Sequence, residues 1–278
     1  MKMKTKTHLQ ILLSGVALSA LPLSAATTLW DTSFAGTTLD DSWLVNVTGD
    51  STITQNNGLE ILPDGIGGFD RGFLATNNVQ AGTNPGFTPG FKAQFNGNAA
   101  YNFFNHDLQL TYDNLSIPTD TTSGLLIFHS GVTGNAVTNN KSVRNSSPGA
   151  YLRVRSDFKL EVLDYIGGSR VASGSKTLTA MPASIVFDLN ATGWSVDITG
   201  TTFTDTSTTT SGTWANISAA TFATDATLVL GTYQEGNSAW TSGDPITLGG
   251  FEAVAIPEPS STALLGLAGF GFALRRRR

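Results

Sequence analysis

Cysteine is absent from the 278 residues. Its absence removes disulfides, thiolate nucleophiles and cysteine-held zinc or iron–sulfur centres together. Histidine is scarce, with only His8, His106 and His129. No ligand spacing accompanies them, which argues against zinc. His106 and His129 fall in strand-like runs and read as ordinary strand residues. Charge is sparse as well, at 13%. Between residues 27 and 256 only four glutamates occur, Glu60, Glu161, Glu235 and Glu252, and none has an acid two residues away. Glycoside hydrolysis needs two carboxylates ~5–9 Å apart across one sugar bond, and no spacing marks such a pair. No Gly-x-Ser-x-Gly elbow offers a serine nucleophile. Helical periodicity is nearly missing too.

What charge there is falls unevenly. The net charge of −5 includes seven basic residues near the two ends: Lys2, Lys4, Lys6, Arg275, Arg276, Arg277 and Arg278. Between residues 27 and 256, nine basic residues face twenty acidic ones, a net of −11. A surface of that sign repels nucleic acid and anionic lipid at long range. No basic patch interleaved with aromatics is visible in the sequence, so nucleic acid is not an expected partner.

Short runs of alternating or β-branched residues recur along the body, split by Gly, Asn, Asp and Thr clusters. They predict about fourteen short strands, and so an all-β fold: a two-sheet antiparallel β-sandwich or jelly roll. Leu108, Leu110 and Tyr112 alternate with Asp107, Gln109 and Thr111, as in a strand with one wet face. The same pattern puts Phe158, Leu160, Val162 and Asp164 on one face, and Lys159, Glu161 and Leu163 on the other. Thr202–Asp205 is expected as a strand. The Thr-rich stretch from Thr201 to Thr213 is expected as a long hairpin tip.

Both ends read as export signals. Lys2, Lys4 and Lys6 precede an apolar run from Leu9 to Leu23 and the small residues Ser24-Ala25-Ala26. This is the pattern of a secretory signal peptide, with signal-peptidase cleavage expected after Ala26. At the other end, Pro257-Glu258-Pro259 is followed by an apolar run from Thr262 to Leu274 and then by Arg275, Arg276, Arg277 and Arg278. As a helix that run rises only ~20 Å, short of the ~30 Å hydrocarbon core. The four arginines favour the cytoplasmic side. The tail is therefore expected as a temporary stop in the inner membrane, with the arginines as the stop itself. The expected organisation is a signal peptide at 1–26, a β-sandwich at 27–255 and a sorting tail at 256–278. A signal helix and a short hydrophobic transmembrane helix would flank the sandwich.

The tail resembles the PEP-CTERM sorting signal of Gram-negative bacteria that make extracellular polysaccharide. The resemblance rests on Pro257, Glu258 and Pro259, the apolar run and the arginine cluster, with an apolar stretch shorter than usual. It implies processing by an exosortase, a membrane cysteine protease, near the Pro-Glu-Pro element. It also implies delivery to the cell surface or extracellular matrix. The body resembles the concanavalin A-like lectin/glucanase sandwich, which includes laminin-G-like domains. That likeness rests on Leu29–Phe34 with Leu39–Trp43, on Gly58–Leu62, on Gly193–Gly200, and on a closing strand within Ile246–Ala255.

The five tryptophans are the main hint of carbohydrate, because sugar rings stack on exposed indoles. Trp30, Trp43 and Trp194 sit in strand patterns that favour burial. Trp240 lies in a polar loop with Asn237 and Asp244, a candidate sugar platform, and Trp214 lies at a loop edge. Either could instead fold back on the rim of the sandwich. Asp64 and Asp70 close a glycine-rich loop that could hold calcium through oxygen ligands; ordinary turn chemistry accounts for the same residues. No other cofactor is expected. The expected role is non-catalytic, binding carbohydrate or contributing to an exopolysaccharide matrix. A glycoside hydrolase or lyase and a purely structural surface protein are the competing readings.

Overall fold

The computed structural model describes residues 26–39, 43–48, 51–62, 71–76, 102–119, 125–134, 148–166, 169–222, 227–235 and 244–256. The expected signal segment, the sorting tail and residues 77–101 lie outside them. The two flanking helices expected from the sequence fall in those segments. Among the described residues no helix is long and apolar enough to cross a membrane. All of them belong to one compact unit, Ala26–Glu258.

Two large antiparallel sheets make up this unit. One has six strands, in the order β1 (Thr27–Thr32), β16 (Gly250–Ile256), β6 (Asp107–Asp113), β11 (Ser184–Leu189), β12 (Gly193–Thr199) and β13 (Thr209–Thr213). The other has seven, in the order β10 (Ser169–Thr177), β9 (Lys159–Ile166), β8 (Gly149–Arg155), β7 (Leu125–Thr133), β14 (Thr227–Glu235), β5 (Arg71–Thr76) and β2 (Trp43–Thr48). A small third sheet pairs β15 (Ile246–Leu248) with β4 (Leu59–Leu62), and β4 with β3 (Thr52–Gln55). The first and last strands of the unit are neighbours, with Thr27 opposite Ala255 and Thr32 opposite Phe251.

Alternation explains why these sheets stack. In β6, Leu108, Leu110 and Tyr112 are fully buried while Asp107, Gln109 and Thr111 are only half-buried. In β11, Ile185, Phe187 and Leu189 are buried between half-buried Val186 and Asp188. These inward rows meet Leu126, Phe128, Leu152, Val162 and Leu230 of the seven-stranded sheet in one core. Tyr112 and Phe128 touch edge to face across it, ring centroids 5.6 Å apart. Burying each such side chain contributes ~1.5–3 kcal/mol, so the inward alternation is the main force holding the sheets together.

Trp194 shows how tightly the open edge is closed. Its indole is buried, and it lies against Gly174 of β10 and Gly212 of β13. A Cβ on Gly174 would stand 2.3 Å from the indole, and one on Gly212 would stand 2.6 Å away. Only glycine fits at either position. The register of β10 also shifts between Ala172 and Gly174, a bulge beside the ring.

Two expectations around this edge need correction. Thr209–Thr213 is a strand rather than a hairpin tip, pairing with β12 from Gly193↔Thr213 to Asp197↔Thr209. Its pattern is exposed and half-exposed throughout, so it joins the sheet through backbone hydrogen bonds with no apolar signature. Thr202–Asp205 is a turn that meets the end of β10 through an isolated bridge from Leu178 to Phe203 and through the contact of Lys176 with Asp205. Asp205 organises that turn by accepting from the backbone N and the hydroxyl of Ser207 at 3.1 and 2.6 Å. The expected closing strand Ile246–Ala255 divides into β15 and β16, which serve different sheets.

Candidate functional site

The candidate surface is built on β7, β8 and β9, the centre and one wing of the seven-stranded sheet. Leu126, Phe128, Leu152, Val154, Leu160 and Val162 face the core. Their neighbours in sequence therefore face the other way. On that outer face Ile127, Tyr151, Leu163, Tyr165 and Val229 form a second apolar cluster, separate from the core. A wet face was expected here, but the centre is dry. His129 is 2% exposed, Tyr151 1%, Arg153 1%, Glu161 7% and Leu163 3%. Strand β9 is buried on both faces from Leu160 to Tyr165.

Register gathers the polar members of this face into one row. His129 of β7 stands opposite Arg153 of β8, and Arg153 stands opposite Glu161 of β9. The His129 and Tyr151 rings lie 4.6 Å apart, tilted by 30°. Glu161 is surrounded by cations. Lys159 Nζ lies 3.0 Å from its Oε1, while Arg153 Nη1 and Arg155 Nη1 lie 3.4 and 3.8 Å from its Oε2. Arg155 also donates to both carboxylate oxygens of Asp157 at 2.9 and 2.7 Å. Burial alone would raise the Glu161 pKa. The hydrogen bond from Lys159 and the charges of Arg153, Lys159 and Arg155 outweigh that and hold it below its ordinary value. Burial pushes the Tyr151 phenol far upward, so it stays protonated.

This environment does not suit Glu161 as a glycosidic acid. A glycosidic general acid needs a raised carboxyl pKa and a second carboxylate nearby. Glu161 is shifted the other way and is ringed by positive charge. Asp164, the other carboxylate of β9, is turned into the fold. It accepts from the backbone N–H of Asn216 at 2.7 Å, from Asn216 Nδ2 at 2.6 Å and from the backbone N–H of Ala215. It serves as a clamp on the loop after β13, although the sequence pattern placed it with apolar core residues.

The sequence-derived candidates lie elsewhere. Trp214 is half-buried, donates from Nε1 to the Asn190 carbonyl at 2.9 Å and leans on Phe103 with centroids 5.7 Å apart. It packs against the core. Asp244 is exposed at the start of the segment leading into β15. Its expected partners Trp240 and Asn237 lie outside the described residues, as do Asp64 and Asp70. Among the described residues no group of three or more His, Asp or Glu side chains converges on a common metal position. Trp43 and Trp194 are buried in the core as their strand patterns imply; the Trp30 side chain is not among those described. Ala26 is exposed just before β1. The sorting residues Pro257, Glu258 and Pro259 lie outside the described residues. So do the four arginines expected as the membrane stop, Arg275, Arg276, Arg277 and Arg278.

The row His129–Arg153–Glu161 escaped sequence reading because its members come from three strands. The usable signal was Arg153-Val154-Arg155 followed by Lys159-Leu160-Glu161, charges at a spacing of two on consecutive strands. That spacing places them on one face.

With the sheets and this face established, the fold is that of a concanavalin A-like lectin sandwich. The carbohydrate recognition domain of Emp47p superposes with a TM-score of 0.53 at 7% identity, covering 83% of this chain and 97% of that one. An endo-1,3-β-glucanase from Streptomyces sioyaensis superposes with a TM-score of 0.50 at 12% identity, covering 86% of this chain and 100% of that one. At such identities the likeness is one of fold. No curated protein sequence matches the chain. Residues 255–278 match the PEP-CTERM protein-sorting motif. The chain therefore combines a lectin-like sandwich with a C-terminal sorting signal of that class.

Proposed function

We propose that this protein is exported, sorted by an exosortase through Pro257, Glu258 and Pro259, and placed at the cell surface or in the extracellular matrix. In this reading Arg275, Arg276, Arg277 and Arg278 hold the tail briefly at the inner membrane. At its destination the sandwich acts without catalysis, binding carbohydrate of the polysaccharide matrix. The observation that supports binding is the make-up of the outer seven-stranded face. Aromatic and cationic side chains surround one carboxylate held in its ionised form. Only its rim is open, where Arg155 and Lys159, with side chains 17% and 37% exposed, can donate hydrogen bonds to a sugar. The proposed organisation keeps the signal peptide at 1–26, the sandwich at 27–255 and the sorting tail at 256–278. The polar loop bearing Asn237, Trp240 and Asp244 is proposed as a second contact, and Trp214 as a further candidate. Calcium at Asp64 and Asp70 is left as a dependence to be measured.

The test is a glycan array probed with the purified protein, with calcium and with chelator. Saturable binding to a defined polysaccharide supports the reading. A blank array in both conditions overturns it and leaves a structural matrix protein. Release of sugar from any bound polysaccharide would instead favour a hydrolase or lyase. Trp240→Ala should weaken binding if the loop takes part.

A further inference from the structure

The chain enters its sorting signal without a spacer. Strand β16 ends at Ile256, the motif match begins at residue 255, and Pro257 follows the strand directly. Proline has no N–H to donate to a ladder, so a strand held on both sides ends before it. This last strand is central in its sheet, lying between β1 and β6. It is paired on both sides as far as Ala255, which stands opposite Thr27 of β1 and Leu108 of β6. Ile256 adds a pair with Asp107. Ala26, the expected signal-cleavage residue, directly precedes Thr27. The two expected processing points therefore flank one strand pair. Side chains at this end hold the core weakly. After Phe251, the inward residues of β16 are Ala253 and Ala255, buried opposite Leu110 and Leu108. Alanine buries little apolar area, so backbone pairing on two sides carries most of the hold there.

We propose that the closed sandwich restrains its own sorting: with β16 docked between β1 and β6, the exosortase cuts slowly, and the end of the strand must open first. The inference rests on the sorting reading above. A protease takes its substrate as an extended segment and bonds to its backbone over several residues. In residues 251–255 both backbone edges are already occupied, by β1 on one side and β6 on the other. Only five residues, 257–261, separate the strand from the apolar run, a reach of at most ~18 Å. Opening starts at the Ala255 end, where the pairs with Thr27 and Leu108 go first and little apolar burial is lost. Cleavage then follows the fraction of chains with that end open. The device also sets an order. Sorting is fastest on a chain whose β1 has not yet docked, and it slows once the sheet is complete.

The experiment expresses the full chain in a Gram-negative host with and without an exosortase, and follows loss of the tail by mass spectrometry after pulse labelling. Thr28 and Val254 stand directly opposite each other across β1 and β16. Both alternate with buried residues, Thr28 being exposed and Val254 half-buried. Opposite Cβ atoms stand ~4.5–5.5 Å apart, so Thr28→Cys with Val254→Cys can form a disulfide in an oxidising compartment. The chain has no cysteine of its own to interfere. This lock should slow tail loss about tenfold or more against each single variant. An insert of about six Gly and Ser residues after Ile256 should restore the rate in the locked chain, because it supplies an extended segment outside the sheet. Melting curves confirm that the locked chains fold. Equal rates in the locked and single variants overturn the inference and keep the sorting reading. A slowed lock that the insert does not relieve also overturns the inference. No tail loss from the wild type, tail loss without an exosortase, or tail loss that survives Pro257→Ala with Glu258→Ala overturns the sorting reading and the inference with it.

Discussion

The two outer faces of this sandwich follow the same alternation rule and reach opposite ends. On the six-stranded sheet, the residues between core positions of β6, β11 and β12 are mostly half-buried polar groups with simple contacts. Gln109 Nε2 donates to Asp188 Oδ1 at 2.9 Å, and Ser195 Oγ donates to Asp188 Oδ2 at 3.2 Å. On the seven-stranded sheet, the equivalent positions hold a dry cluster of Ile127, Tyr151, Leu163 and Tyr165, with a histidine, an arginine and a glutamate buried among them. Burying charge is costly unless it is paired. The contrast is between a face of half-buried residues and one whose centre is buried.

The comparison can be broken most sharply at its most buried charge. Arg153→Ala removes the most buried partner of Glu161 and leaves Lys159 and Arg155, and should cost about 1–3 kcal/mol, read as a drop in the midpoint of urea unfolding. Gly174→Val tests the edge both sheets share. Its side chain must displace the Trp194 indole, and a loss of about 1–3 kcal/mol is expected, read by the same denaturation. Glu161→Gln tests the electrostatics. Because the folded-state pKa of Glu161 lies below the ordinary 4.5, its ionisation adds stability above that value. This contribution is lost as pH falls through the folded-state pKa. The variant should therefore show a flatter acid limb than the wild type in melts taken from about pH 6 downward. The smallest effect belongs to the six-stranded face. Asp197 is half-buried beside Thr209 and Val186, and Asp197→Asn should change stability by no more than about 0.5 kcal/mol. A cost there as large as that of Arg153→Ala would erase the distinction between the faces.

Much of the fold was legible because alternation is a local signal. Leu108, Leu110 and Tyr112 announce β6 within seven residues, and Trp194, Val196 and Ile198 announce β12 in the same way. Strand β13 was not legible, since Thr209–Thr213 has no apolar side and is held by backbone pairing to β12. Thr202–Asp205 failed for the opposite reason. Phe203 supplies an apolar residue, but Thr206 adopts a left-handed φ of 68° and the chain turns. The site was illegible for a third reason. Lys159 and Glu161 read correctly as sharing a face, but alternation cannot say whether that face is wet. Which residues of neighbouring strands, such as Tyr151 and Ile127, share that face is set by register rather than by sequence spacing. The sorting signal was readable because it is a linear motif. Pro257, Glu258 and Pro259, an apolar run, and Arg275, Arg276, Arg277 and Arg278 follow one another in contiguous order.

Two lysines give the most direct test of where a glycan lies. Lys159 is 37% exposed and stands at the rim of the outer seven-stranded face, while Lys176 is 33% exposed, contacts Asp205 and sits over the Phe203 ring at 5.9 Å. Amine labelling read by mass spectrometry, with and without a saturating polysaccharide bound on the array, compares them inside one molecule at nearly equal exposure. The account predicts that the glycan slows labelling of Lys159 and leaves Lys176 unchanged. Protection of Lys176 alone, or of neither, would contradict it.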